Sequence, residues 1–177
     1  MKKLRSSLLI LGLCVSASVS AEVVETRDGF FKIRSVVLVD LSPATAWRTL
    51  VRVPAWWDSA HTWSGAARNL SLEARAGGCF CEKLANGGSV QHARVVFAQP
   101  GQLLRLDGAL GPLQEMPVTG LLTYSLAPDG PGTRITMTYA VAGALTLDSA
   151  ELAPLVDQVM TSQLERLRNY ANSKASR

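Results

Sequence analysis

Residues 118–141 read VTGLLTYSLAPDGPGTRITMTYAV, two runs of alternating residues on either side of a turn rich in proline and glycine. In each run every second residue is apolar, and the residues between are mostly threonine, serine or arginine. A period of two predicts a strand with one buried side and one wet side. The apolar side comprises Val118, Gly120, Leu122, Tyr124 and Leu126 in the first strand and Ile135, Met137, Tyr139 and Val141 in the second.

Five more strands and two short helical segments are predicted upstream of this hairpin. Residues Ser42 and Pro43 are typical of a helix start, and the segment with Trp56 and Trp57 predicts a second short helix or an irregular turn. Turns rich in glycine, asparagine and proline separate the strands. The predicted strands are Phe30–Val39, Leu70–Ala74, Cys79–Leu84, Val90–Ala98 and Leu103–Leu110.

The C-terminal segment changes from a strand period to a helix period. From Asp148 to Ser173, apolar residues recur at the i, i+3, i+4 and i+7 spacing of an amphipathic helix. The stripe comprises Leu152, Leu155, Val156, Val159, Met160, Leu164 and Leu167. An antiparallel sheet beside one long amphipathic helix predicts an α+β fold, with either a packed core or a cavity between the two layers.

The first 21 residues have the pattern of a secretory signal peptide. Basic residues at the start are followed by an apolar run from Leu8 to Val15 and by small residues before Glu22. The apolar run is too short to span a bilayer. We therefore expect a periplasmic or secreted protein in which residues 22–177 form a single domain.

The charge of the mature chain argues against nucleic acid as a partner. The full chain carries 18 basic and 14 acidic residues. Removal of the three basic residues of the leader leaves 15 basic residues and a net charge of +1. No basic stripe remains, so the electrostatic footprint of a nucleic-acid-binding protein is missing. No second segment is long and apolar enough for stable membrane insertion.

The predicted order of elements resembles the START/Bet v 1-like superfamily, also called SRPBCC or polyketide cyclase-like proteins. Three local phrases support the resemblance: VDLSP at residues 39–43, GGCFCE at 77–82 and GTRI at 132–135. It covers nearly all of the mature chain. It implies a helix-grip fold, in which a seven-stranded antiparallel sheet wraps around the C-terminal helix, with two short helices after the first strand and an apolar cavity inside.

Members of this superfamily bind lipids, sterols, polyketides or plant hormones. Some are cyclases and others assist chaperones, and they share no universal catalytic residue. The resemblance therefore implies a container for a small hydrophobic molecule and names no reaction. Most members are intracellular, so the signal peptide argues against the role of chaperone cofactor here.

The expected ligand-binding residues lie between the sheet and the last helix. The indoles of Trp57 and Trp63 are expected near the cavity mouth, although core packing would explain them equally well. Residue Leu110 belongs to the apolar loop 108–113, which is either a gate or a plain loop. The complete expected set is Trp57, Trp63, Glu82, Phe97, Leu106, Leu110, Tyr124, Met137, Tyr139, Leu155, Val159 and Met160.

Glu82 is the candidate polar contact of the cavity. With Asn86-Gly87 as a two-residue turn, Glu82 faces Gln91 on the apolar side of the hairpin. Burial there would raise the pKa of the carboxyl group. Such a group can orient a ligand hydroxyl or act as a general acid or base, and the alternative is a wet or paired carboxylate at the cavity mouth.

The same register predicts a second, weaker candidate site on the outer face. It places Cys81 opposite His92 and Cys79 opposite Arg94. Thiols and an imidazole suit Zn or Cu(I), although three ligands are an incomplete set. Cysteines two apart on a regular strand lie near the limit for a disulfide. We therefore expect two free thiols rather than a bond.

Three functions remain open on the sequence alone. The leading one is an exported binding protein for a small hydrophobic or amphipathic ligand, with no cofactor and no catalytic residue assigned. The second is a cyclase or dehydratase that uses Glu82. The third is a periplasmic metal or thiol-redox protein that uses Cys79, Cys81 and His92. The sequence gives neither the ligand nor the oligomeric state.

Overall fold

A computed structural model describes residues 20–175. The described residues form one antiparallel sheet of eight strands in the spatial order β1-β2-β8-β7-β6-β5-β4-β3. The strands are β1 (Ser20–Arg27), β2 (Phe30–Val39), β3 (Leu70–Leu72), β4 (Cys79–Lys83), β5 (Ser89–Gln99), β6 (Leu103–Asp107), β7 (Val118–Asp129) and β8 (Gly132–Gly143). The expected leader lies outside the described residues, except for Ser20 and Ala21.

The sheet and a long C-terminal helix confirm the expected helix-grip architecture, with one strand more than predicted. All seven predicted strands are present. The additional strand β1 pairs with β2 at the edge of the sheet. Every residue of β1 is exposed, so its sequence, SAEVVETR, lacks the apolar alternation that marks a half-buried strand.

One α-helix, rather than two, follows the first long strand. Helix α1 (Pro43–Leu50) begins with proline in its first turn, as predicted. The segment after it contains three 3-10 turns, at Val53–Ala55, Ser59–His61 and Ala67–Asn69. Side chains stabilise these turns: the indole of Trp56 donates to the carbonyl of Leu50, and that of Trp57 donates to the carbonyl of His61.

The two halves of helix α2 (Ser149–Ala175) differ in how they pack against the sheet. Its C-terminal half packs against β2 and buries Leu164, Leu167 and Ala171 completely. Its N-terminal half, which contains Pro154, stands away from the sheet. Pro154 is the sixth residue of the helix and has no backbone N–H, so it cannot donate the hydrogen bond that position 154 would otherwise make to the carbonyl of Ala150. The C-terminal half stabilises the fold by packing, and a space remains between the N-terminal half and the sheet.

Two β-bulges in β5 change which side chains face inward. The first makes His92 an extra residue, since Phe80 pairs with Ala93 but Cys81 pairs with Gln91. The predicted pairs of Glu82 with Gln91 and of Cys81 with His92 are therefore wrong: Glu82 pairs with Val90. A longer loop causes the difference, because the hairpin closes around residues 84–88 instead of two residues and shifts the register by one. The bulge at His92 then shifts it back.

The second bulge corrects the prediction for Phe97. Val95 pairs with Leu106 and Phe97 pairs with Arg105, so Val96 is the extra residue. An extra residue turns every later side chain of the strand to the opposite face. Phe97 is therefore 44% exposed on the outer face and contributes nothing to the cavity wall.

Candidate functional site

A cavity of about 490 Å³ lies between the sheet and the N-terminal half of α2. This volume is within the range of about 300–1,000 Å³ that is typical of small-molecule sites. The described residues that line it are mostly apolar. They are Trp57, Ala60, His61, Thr62, Trp63, Phe80, His92, Leu110, Gly111, Pro112, Leu113, Met116, Tyr139, Leu152, Leu155, Val156, Val159 and Met160.

The mouth of the cavity is formed by side chains that are both exposed and part of the lining. Trp63 is 48% exposed and Leu155 is 56% exposed, although both are large and apolar. The loop around Leu110 and Pro112 completes this rim. Exposed apolar side chains around an opening are typical of a site that receives an apolar molecule.

Seven of the twelve residues predicted for ligand binding line this cavity: Trp57, Trp63, Leu110, Tyr139, Leu155, Val159 and Met160. Their contact with a ligand stays a prediction. Leu106 and Tyr124 do not line it; they border a separate void of about 10 Å³ beside Trp56. Met137 is completely buried and is absent from the lining. Core side chains therefore fill the region around Leu106, Tyr124 and Met137, and the cavity is confined to the region beside the N-terminal half of α2.

Several lining residues were not predicted. Leu152 and Val156 belong to the apolar stripe of α2, and Met116 follows the apolar loop, so their patterns were visible in the sequence. His92 was assigned to the outer face, because alternation through a regular strand cannot show a bulge.

Glu82 and His92 form a buried pair beside the cavity. His92 lines the cavity and Glu82 does not, which corrects the prediction of Glu82 as the polar contact of the ligand. Glu82 is 1% exposed and His92 is 6% exposed. The carboxylate accepts hydrogen bonds from the backbone N–H of Trp63 at 3.1 Å and of Ser64 at 2.5 Å. Its Oε2 atom also lies 2.9 Å from Nε2 of His92. All of these donors fix the carboxylate behind the imidazole, which itself lines the cavity.

The predicted direction of the Glu82 pKa shift is wrong. Burial raises the pKa, but hydrogen bonds from Ser64, Trp63 and His92 together outweigh burial and hold the pKa of Glu82 below its ordinary value. The loop at residues 63–64 supplies these donors, and the strand pattern gave no sign of them. Glu82 is therefore an ionised, structurally fixed carboxylate rather than a protonated acid.

His92 is the neutral member of the pair. Burial lowers the pKa of the imidazole, and the hydrogen bond and negative charge of Glu82 oppose that effect only in part. A neutral imidazole beside an ionised carboxylate carries its hydrogen on the nitrogen that faces the carboxylate. His92 thus donates from Nε2 to Glu82, and Nδ1 has a lone pair that can accept a hydrogen bond.

Tyr139 contributes a ring to the cavity wall while its hydroxyl group is occupied. The hydroxyl accepts from the backbone N–H of Leu110 and donates to the carbonyl of Gly108. Burial raises the pKa of Tyr139 above its ordinary value, so the group stays protonated. The ring fits because Gly120 lies below it: a Cβ atom there would lie 2.5 Å from the tyrosine oxygen.

Cys79 and Cys81 form a disulfide, which corrects the expectation of two free thiols. Their Cα atoms are 5.4 Å apart, closer than in a regular strand, and the contraction lies opposite the bulge at His92. The bond leaves neither sulfur free as a metal ligand, and His92 faces the cavity instead. Within residues 20–175 no three histidine, cysteine or acidic side chains come together as a metal site. A thiol-redox role stays a prediction.

Similarity to solved structures shows the fold. A protein from Rhizobium leguminosarum is 17% identical with a TM-score of 0.60, covering 87% of this chain and 97% of its own. The Mll3558 protein from Rhizobium loti is 24% identical with a TM-score of 0.55, covering 86% and 99%. The di-domain ARO/CYC protein StfQ of the steffimycin biosynthetic pathway is 14% identical with a TM-score of 0.57, covering 86% and 54%. No curated protein matches the chain significantly.

Residues 31–172 match the family described as "Polyketide cyclase / dehydrase and lipid transport". This range includes strand β2 from residue 31, strands β3 to β8, both helices up to residue 172, and every described residue that lines the cavity. In the described part of the chain, none of the helices combines the length and apolarity needed to cross a membrane. The chain therefore belongs to the polyketide cyclase/dehydrase and lipid transport family, within the SRPBCC, Bet v 1-like superfamily.

Proposed function

We propose that this chain is an exported binding protein for a small hydrophobic or amphipathic molecule, which it holds between the sheet and helix α2. The observation that carries the proposal is the cavity of about 490 Å³ with an apolar lining and an open, apolar mouth. No lysine, arginine, aspartate or glutamate is among the described residues that line it. Burial of apolar ligand surface there is worth about 25 cal/mol per Å², which suffices for micromolar binding after ordering costs.

Two features support export as part of this proposal. The first is the leader pattern of residues 1–21. The second is the disulfide between Cys79 and Cys81, because disulfides persist in oxidising compartments and are rare in the cytosol. Recovery of the mature chain, beginning near Glu22, from a periplasmic or culture fraction would test this part.

The binding proposal can be tested with a neutral apolar fluorophore such as 1-aminoanthracene. We expect saturable binding to one site with a rise in fluorescence. The variant Val159→Trp fills the cavity from α2, so binding should weaken at least tenfold while the protein stays folded. The matched control is Gln158→Trp, which adds the same ring at an exposed neighbouring position. Equal binding by both variants would contradict a site inside the cavity.

A cyclase or dehydratase is the second candidate. The observation that favours it is the Glu82–His92 pair, since a carboxylate that orients a neutral imidazole is a common arrangement for a general base. The base would be His92, because Glu82 is covered by its three donors. Native mass spectrometry of ligand carried from cells tests the dehydration reaction of this candidate. A ligand that is lighter by one water in the wild type than in His92→Phe would support dehydration by His92, and identical masses would contradict dehydration.

A further inference from the structure

His92 combines burial with an unused hydrogen-bonding atom. Two other polar side chains of the lining are engaged: the indole N–H of Trp57 donates to the carbonyl of His61, and the hydroxyl of Tyr139 has both a donor and an acceptor. The indole of Trp63 lies at the mouth, where the residue is 48% exposed. His61 is exposed and Thr62 half-buried, so both lie near solvent. Deep inside the cavity, a ligand therefore meets His92 as its polar neighbour.

The free atom of His92 is Nδ1. Its Nε2 atom is engaged with Glu82 at 2.9 Å. In the described part of the chain, no hydrogen bond involves Nδ1, and the buried side-chain atoms without a partner are Oγ of Ser149 and Nε2 of Gln163. Nδ1 has no partner and is not among these fully enclosed atoms, so it is accessible, and the side chain that carries it lines the cavity.

We propose that Nδ1 of His92 accepts a hydrogen bond from the ligand, so that the cavity selects neutral apolar molecules with a hydroxyl group over ethers and carboxylates of the same size. This inference rests on the proposed binding function and names the ligand class for the same site. Glu82 acts as a positioning residue, because it holds the hydrogen of the imidazole on Nε2 and so leaves Nδ1 as an acceptor.

The charges around the site favour a hydroxyl group over a carboxylate. A ligand carboxylate in this cavity would meet no lysine or arginine among the described lining residues. It would also lie near the negative charge of Glu82, which sits directly behind the imidazole. An ether oxygen is no better, since it cannot donate to the lone pair on Nδ1 and would leave that atom unpaired.

Local backbone structure explains why the imidazole is available at all. The bulge makes His92 the extra residue of β5 and turns its side chain to the cavity. Gly108 permits the bulge, because a Cβ atom there would lie 2.5 Å from the carbonyl oxygen of His92. The ring packs on Phe80 with centroids 5.0 Å apart, which holds its plane against the wall.

The test compares three ligands of nearly equal size by titration: decan-1-ol, its isomer 1-methoxynonane and decanoate. The wild type should bind the alcohol about tenfold more tightly than the ether, since one hydrogen bond differs. Decanoate should bind more weakly than the alcohol. In His92→Phe the preference for the alcohol over the ether should vanish. In His92→Gln it should persist, because the amide can donate to Glu82 and offer its oxygen to the ligand.

A spectroscopic signature separates this contact from a merely structural role of His92. Long-range proton–nitrogen NMR of the wild type should show a neutral imidazole protonated at Nε2. The Nδ1 resonance should shift on addition of decan-1-ol and stay unchanged with 1-methoxynonane. An imidazole protonated at Nδ1, or the same response to both ligands, would overturn the inference without the need for any variant.

These measurements distinguish a failure of the hydroxyl selection from a failure of the proposed binding function. If the alcohol and the ether bind equally and Val159→Trp excludes both, the cavity binds ligands but the hydroxyl selection is wrong. If neither ligand binds the wild type, the proposed binding function fails and this inference fails with it.

Discussion

Residue Glu82 is fixed by three donors, and its removal should be costly to the fold. A glutamine in its place cannot accept from Trp63, Ser64 and His92 at once, because one of its two terminal atoms is a donor. We expect Glu82→Gln to lower the free energy of unfolding by roughly 2–3 kcal/mol. Urea denaturation followed by tryptophan fluorescence would measure the change.

The matched control is Glu73→Gln, an exposed carboxylate whose partner Arg75 is also at the surface. An exposed pair contributes little, so the control should change the free energy of unfolding by less than about 0.5 kcal/mol. A loss of the same size in both variants would mean that the hydrogen bonds of Glu82 contribute no more to stability than the exposed ion pair of Glu73.

The pair should also make the protein sensitive to acid. Folding lowers the pKa of His92 from its ordinary 6.5 and that of Glu82 from 4.5, so the unfolded chain binds protons first as the pH falls. The stabilising contribution of His92 is complete above pH 6.5 and is lost progressively below it. Thermal unfolding in a pH series should show this loss, and the His92→Gln variant should show a flatter curve below pH 6.5. Parallel curves for both proteins would contradict the assignment of a neutral, buried imidazole.

Only part of the environment of Glu82 could be predicted from the sequence. A carboxylate at position 82 on an apolar face is evident from the strand alternation, and Glu82 is buried there. The direction of its pKa shift was not predictable, because the donors come from Trp63 and Ser64, 19 and 18 residues earlier in the chain. A strand pattern contains no information about a loop that closes over it.

Among the secondary-structure elements, the disulfide in β4 and the bulge in β5 lie opposite each other and are structurally coupled. The bond between Cys79 and Cys81 shortens β4 at the point where β5 carries the extra residue His92. Replacement of both cysteines by serine should therefore loosen the bulge and cost about 1–2 kcal/mol of stability, as expected for a very short closed loop. Hydrogen exchange should become faster at the amides of β4 and of β5 near His92.

Reducing agent provides the control for this prediction. It should speed up the same amides in the wild type and have no further effect on the double serine variant. Exchange in β7 and β8 should stay slow in every sample, since their long ladder lies on the other side of β6. Unchanged exchange around His92 in the serine variant would show that the bulge forms without the bond.

Elements with clear periodicity were predicted well, and irregular ones were not. The hairpin of β7 and β8 and the stripe of α2 are as expected. Strand β1 was missed because all of its residues are exposed. The bulges at His92 and Val96 were missed because a single extra residue leaves the local composition unchanged while it inverts the face of every later residue in the strand. Phe97 was misplaced for this reason.

At the scale of the whole molecule, the two halves of α2 explain how a stable fold can contain a cavity. The C-terminal half, with Leu164 and Leu167, completes the core against β2. The N-terminal half, with Val156 and Val159, covers an open space. The sequence stripe is continuous over both halves, so it predicted the helix but not the point where packing gives way to a cavity.

The most direct test of a ligand site between the sheet and helix α2 is to locate a bound apolar molecule. Intermolecular NOEs should be recorded between a neutral apolar probe, such as 1-aminoanthracene, and the protein methyl groups. We expect NOEs to Leu152, Val156 and Val159, which line the cavity, and none to Val96 or Leu121, which are exposed at the surface. NOEs confined to those exposed residues, or no NOEs at saturating probe, would contradict a ligand site between the sheet and the C-terminal helix.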